Sequence, residues 1–93
     1  MKTASARHIL VKDEVLCNEL KKKISTGEIT FEQAAREYSL CPSGARGGAL
    51  GSFSQGQMVP EFDKVVFSDE VGVVHGPVKT QFGYHLIEIT NRS

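Results

Sequence analysis

Few side chains in this sequence could carry chemistry. His8, His75, His85, Cys17 and Cys41 are its soft or borderline metal ligands and its candidate nucleophiles. None stands in a Cys-x-x-Cys or His-x-x-x-His spacing, so no single element offers two of them to one ion, and no metal site is expected. Nucleophilic attack by Cys41 would need a base nearby. The histidines are distant in sequence, and no protease signature surrounds the cysteine. Cys41 thus reads either as a reactive thiol or as a small packing residue. The run Gly44-Ala-Arg-Gly-Gly-Ala-Leu-Gly51 invites comparison with a phosphate cradle. It lacks the Gly-Lys-Ser/Thr ending and leads into a strand, so nucleotide binding is not expected. What remains is one stretch, residues 41–67, that combines a cysteine, most of the glycines and several large apolar groups. A strand-like segment with a histidine lies on either side of it.

The chain of 93 residues is enough for one domain, residues 1–93. Eleven Lys and Arg balance eleven Asp and Glu, so no net field steers the protein toward nucleic acid or an anionic membrane. Lys21-Lys22-Lys23 is too short for a polyanion-binding arm. It reads as the solvated end of a helix, where positive charge suits the dipole. No segment approaches the roughly 18–20 apolar residues of a membrane span, and the N-terminal residues lack the apolar core of a signal peptide. With Met1 as the start, a cytoplasmic protein is expected. The two cysteines make no disulfide scaffold.

The elements that must position these groups follow from hydrophobic period. Residues 7–12 alternate as a strand with apolar groups on both faces, His8 and Leu10 on one and Ile9 and Val11 on the other. Leu16, Cys17, Leu20 and Ile24 then recur at helical spacing, with Asp13 as N-cap and Gly27 as stop; Cys17 reads as a buried thiol. Thr30-Phe-Glu-Gln33 is a capping box for a second helix that buries Phe31, Ala34, Ala35 and Tyr38. Residues 50–54 form a short strand weakened by Gly51. Pro60 opens a helix with Phe62, Val65, Val66 and Phe67 on its apolar side. Residues 76–79 suit an edge strand, since Pro77 has no N–H to donate. Residues 84–90 are the second strong strand, with His85, Ile87 and Ile89 on one face. The order is β-α-α-(glycine loop)-β-α-β-β, an α+β pattern. The first and last strands are the strongest and should pair in the middle, which would bring His8 and His85 together.

Four stretches then combine. His8-Ile-Leu-Val11, Cys41-Pro-Ser-Gly-x-Arg-Gly-Gly-x-Leu-Gly51, Phe53-Ser-Gln-Gly-Gln-Met-Val-Pro-x-Phe62 and Gly76-Pro-Val-x-Thr-x-Phe-Gly-Tyr-His85 occur in this order. Together they resemble the parvulin (rotamase) family of peptidyl-prolyl cis/trans isomerases, most of all the small single-domain bacterial parvulins. The resemblance covers nearly the whole chain. It implies a four-stranded antiparallel sheet wrapped by about four helices, β-α-α-α-β-α-β-β, with a short helical turn between Pro42 and Arg46. It implies that His8 and His85 lie side by side under a shallow groove close to Cys41, with Thr80 hydrogen-bonded into the pair. Leu50, Met58 and Phe62 are implied to seat the substrate proline ring, and Phe53 and Phe82 to be further walls.

Catalysis of X-Pro rotation needs no bond to the substrate, only tighter binding of the twisted amide than of either planar isomer. The expected set is therefore His8, Cys41, His85 and Thr80 beside an apolar seat, without a cofactor and without covalent attack by Cys41. A purely structural histidine pair, ordinary core packing of Met58 and Phe62, and a supporting role for Thr80 are the bland counterparts. His75 is expected to be solvated in a turn. The branch of the family that reads phosphoserine- or phosphothreonine-proline uses a basic loop after the first strand. Here Val11-Lys12-Asp13-Glu14 runs straight into the helix, so no phosphate requirement is expected. Val59 and Phe82 make the groove apolar and suit a hydrophobic residue before proline. Ala49 stands where the family often has Asp, with an effect on a local hydrogen bond or cap. The expected protein is a monomeric isomerase acting on proline-containing peptides and unfolded clients, with no nucleic-acid or membrane partner. The rivals are a proline-peptide-binding chaperone or targeting module with little turnover, and a thiol enzyme built on Cys41.

Overall fold

Strands with apolar residues on both faces belong inside a sheet, and the two strongest occupy its centre. In the computed structural model, which describes residues 2–92, β1 (Thr3–Val11) pairs with β4 (Gly83–Arg92), and β2 (Ala49–Ser54) and β3 (Val74–Thr80) flank them. The order is β2-β1-β4-β3, and every pair is antiparallel. The expectation attached to Met1 lies outside the described residues. In the central register His8 faces Ile87 and Leu10 faces His85, so the two histidines are diagonal neighbours on one sheet face. Both strands run further than their apolar pattern indicates. The early part of β1 is held by pairing on both sides, with Ala4 opposite Phe53 and Arg92.

The helices start and stop for local reasons. Asp13 accepts the Val15 N–H to open α1 (Glu14–Thr26), and Gly27, at φ 83°, closes it. Thr30 and Gln33 exchange side-chain-to-backbone hydrogen bonds of 3.0 and 3.1 Å at the start of α2 (Phe31–Tyr38). A 3-10 turn spans Pro42–Arg46, and α3 (Pro60–Ser68) begins on its proline. Two surface expectations change. Lys21 donates from Nζ to the Gly76 carbonyl at 2.7 Å and so ties α1 to β3. His75 is not a solvated turn residue: β3 begins at Val74, and the His75 ring bonds the Glu70 carbonyl at 2.7 Å.

The sheet has a core on each face. Under α1 and α2 lie Ile9, Val11, Cys17, Leu20, Phe31, Ala34, Ala35 and Leu86. Under α3 lie Ala4, Ala6, Phe53, Phe62, Val66, Ile87 and Ile89. Burial on this scale is the main driving force for folding. A bulge shapes the second face. Ser5 opposes Ser52 but Arg7 opposes Ala49, so β2 carries one extra residue, and Gly51 sits there at φ 74°. The extra residue shifts the side-chain alternation, so that Leu50 and Phe53 both join the α3 face.

Candidate active site

His8 comes from the middle of β1 and His85 from the start of β4, both almost fully buried. Their Nδ1 atoms are 3.1 Å apart. The ring centroids are 5.3 Å apart with planes only 16° from parallel. Since the centroids are further apart than the facing nitrogens, the rings meet edge to edge, not face to face. The outer nitrogens are also occupied: His8 Nε2 lies 3.1 Å from Ser43 Oγ, and His85 Nε2 lies 2.7 Å from Thr80 Oγ1. Thr80 Oγ1 further accepts the Phe82 N–H at 3.2 Å. The result is a buried row, Ser43–His8–His85–Thr80, in which each neutral ring donates once and accepts once. Burial holds His8 down to about 4, and the neighbouring His85 adds to the effect. Burial lowers His85 as well. Removal from water penalises the charged imidazolium, so the pair is neutral at neutral pH.

The glycine-rich stretch fits over this pair through backbone contacts. The His8 N–H donates to the Gly48 carbonyl at 3.0 Å, and the Gly48 N–H donates to Ser43. A Cβ on Gly48 would stand 2.4 Å from the His8 carbonyl, and φ there is +85°. Only glycine allows this approach. The 3-10 turn thereby delivers Ser43 to His8. Nothing in the sequence singles out Ser43, because a serine in a Pro/Gly run reads as solvated loop; its 4% exposure is a tertiary result.

Above the histidines lies a cavity of about 360 Å3. Its lining comprises Phe62 with Leu50, Met58 and Val59, which pack in one apolar cluster, together with Leu10, Leu40, Cys41, Pro42, Phe82 and the two histidines. Phe62 stands at 82° and 83° to the two imidazole planes, 5.6 and 5.8 Å away, and braces both. Of the residues singled out from sequence, His8, His85, Cys41, Leu50, Met58, Phe62 and Phe82 meet at this cavity. Thr80 lies behind His85 and supports it. Phe53 is not a wall. It is buried behind Phe62, with ring centroids 6.3 Å apart, because it pairs with Ala4 near the start of β1, away from His8, and is covered there by Phe62 and Phe67. Cys41 borders the cavity as a half-buried free thiol. All four imidazole nitrogens of His8 and His85 already have partners, which leaves Cys41 no general base among them.

A larger hollow of about 560 Å3 between the end of α1 and α2 is lined by Lys23, Glu28, Ile29, Gln33, Arg36 and Glu37. None of these residues is a Cys, Ser, Thr or His, and its charged side chains are all exposed. Among the described residues, no three His, Cys, Asp or Glu side chains are grouped to hold a metal, and no helix is long and apolar enough to cross a membrane.

The family model Rotamase, described as a PPIC-type PPIase domain, matches residues 8–91. Foldase protein PrsA of Geobacillus kaustophilus is 48% identical over 88 residues, covering 94% of this chain and 31% of that protein. PrsA of Bacillus subtilis is 48% identical over 86 residues, covering 91% and 29%. The chain thus spans about a third of the length of the curated relatives it matches. Among solved structures, the peptidylprolyl isomerase PrsA of Bacillus anthracis superposes with a TM-score of 0.94 at 39% identity, over 99% of this chain and 42% of that one. The parvulin of Nitrosopumilus maritimus superposes with a TM-score of 0.86 at 33% identity, over 98% of both chains.

Proposed function

The chain belongs to the rotamase family of PPIC-type peptidyl-prolyl isomerase domains, and from that premise we propose how its own residues accelerate X-Pro rotation and on what substrates. The observation that carries the reading is an apolar cavity placed directly on a neutral, fully hydrogen-bonded histidine pair. The uncatalysed barrier is roughly 18–20 kcal/mol, because rotation breaks amide resonance. At the twisted state the amide loses the charge separation that resonance gives it. A site with little competing water therefore favours that state over the planar ground states. Leu50, Met58, Val59 and Phe62 seat the proline ring, and thioether flexibility lets Met58 follow its pucker. His8 and His85 hold the cavity floor and present a neutral polar surface to the rotating amide. Ser43 and Thr80 fix the two rings. Cys41 is a polar neighbour in the lining and forms no adduct.

The substrates we propose are proline-containing segments of unfolded or flexible chains, with no phosphate requirement. Among the described residues no Lys or Arg lines the cavity. The relatives' name, foldase, fits clients of this kind. We further propose a monomer, supported by apolar side chains gathered into two internal clusters. A reducing, cytoplasmic location is proposed on the strength of two unpaired thiols. Exchange NMR on Ala-X-Pro-Phe peptides tests the activity. Faster cis/trans exchange at catalytic protein concentration is expected. Binding without faster exchange would replace the isomerase by a peptide-binding module.

A further inference from the structure

The lining of the cavity is of two kinds. Phe62 is 3% exposed, and Leu50, Met58 and Val59 pack half-buried in its cluster. Leu40 is 57% and Phe82 52% exposed. Among the described residues, the remaining exposed large apolar ones, Val15, Val71 and Val73, do not line the cavity, so Leu40 and Phe82 are the exposed large apolar residues in its lining. Their side chains are open but their backbones are fixed. The Leu40 N–H donates to the Leu10 carbonyl at 2.8 Å. The Leu10 N–H is held by Ser39 Oγ. The Phe82 N–H is held by Thr80 Oγ1. The Leu10 side chain would meet a Cβ on Gly83 at 3.3 Å, so it lies against the turn that carries Phe82.

A ring that stays still during rotation needs an enclosed seat. The residue before it does not stay still. Its Cα lies about 3.8 Å from the proline Cα across a trans bond and about 2.9 Å across a cis bond. A seat for its side chain must accept both positions, which an open shelf of flexible side chains does and a closed pocket does not. The cavity volume of about 360 Å3 falls within the range of roughly 300–1,000 Å3 found for ligands larger than one five-membered ring.

We propose that Leu40, with Leu10 and Phe82, seats the side chain of the residue preceding proline and selects large apolar side chains there. This rests on the isomerase reading and adds to it a residue that sets specificity. Leu40 is the point of control because its side chain is exposed and its backbone is tied to the end of β1.

The test is exchange NMR on Ala-X-Pro-Phe peptides with X as Leu, Ala, Glu or Lys, using the wild type, Leu40→Glu and the remote surface control Val15→Glu. The wild type should prefer X = Leu over X = Glu in kcat/KM by about tenfold, the size of one partly buried apolar contact. Leu40→Glu should remove that preference and raise X = Lys above X = Leu, while Val15→Glu should keep the wild-type ranking. Catalysed exchange with no dependence on X, or a ranking that Leu40→Glu leaves unmoved, overturns the assignment and leaves the isomerase standing. No catalysed exchange for any X overturns both.

Discussion

The two faces of the central strand pair share a backbone and are finished differently. Beneath α1 and α2, Ile9, Val11 and Leu86 are covered by Cys17, Leu20, Phe31, Ala34 and Ala35, and the interior is hydrocarbon and one thiol. Burial pushes that thiol, Cys17, up to about 11, so it is inert packing. Beneath α3 the same strands present Ala6, Ile87 and Ile89 and then His8 and His85, where the cover runs out into a cavity. Two helices close the first face. The nine residues of α3 close only part of the second. The site therefore lies where a core is left unfinished, and buried polar groups occur there because a hydrogen-bonded row satisfies them.

The strongest way to break this contrast is to delete one side chain from each face. Leu20→Ala and Phe62→Ala should each cost about 3 kcal/mol of stability, the usual size for emptying a large buried side chain. Only Phe62→Ala should also lower kcat/KM of the folded protein, by about 100-fold, since it removes the ring seat and the brace on both imidazoles. Urea denaturation paired with exchange NMR at low temperature checks this. Equal activity losses in the two variants would mean that the faces do not divide the labour.

Acid should separate the faces next. His8 titrates near 4 in the folded protein against 6.5 in the unfolded chain. Between those values the unfolded chain takes up a proton that the folded one excludes. Stability should therefore be complete above pH about 6.5 and fall as pH drops toward 4, by about 3 kcal/mol from His8 alone. His85 acts in the same direction. Urea midpoints from pH 7.5 to 4 should show this slope, and His8→Gln should flatten it. Identical slopes would assign the acid sensitivity to other groups.

The smallest effect expected is at Cys41. Cys41→Ser should keep kcat/KM within about tenfold of wild type, the scale of one altered polar contact. A thiol nucleophile would instead lose nearly all activity, and the same exchange assay distinguishes the two.

Much of this was legible from one dimension. The helix boundaries follow from Asp13, Gly27 and the Thr30/Gln33 box, because caps are local hydrogen bonds between residues a few positions apart. The apolar period of residues 7–12 and 84–90 indicates central strands, and with them the meeting of His8 and His85. Where Phe53 lies was not legible. An alternation rule cannot foresee that it pairs with Ala4 near the start of β1, away from His8. Nor could Ser43, Leu40 or Lys21 be told from ordinary loop and surface residues. Each acquires its role from a partner 30 or more positions away: His8 for Ser43, the end of β1 for Leu40, Gly76 for Lys21. The sequence by itself determined which residues are apolar, where the chain caps and turns, and which strands lie innermost, since these depend on neighbours along the chain. Only the tertiary structure decided which face stays open and which hydroxyls hold the imidazoles. Those outcomes depend on how far α3 reaches and on which backbones approach closely enough to exclude water.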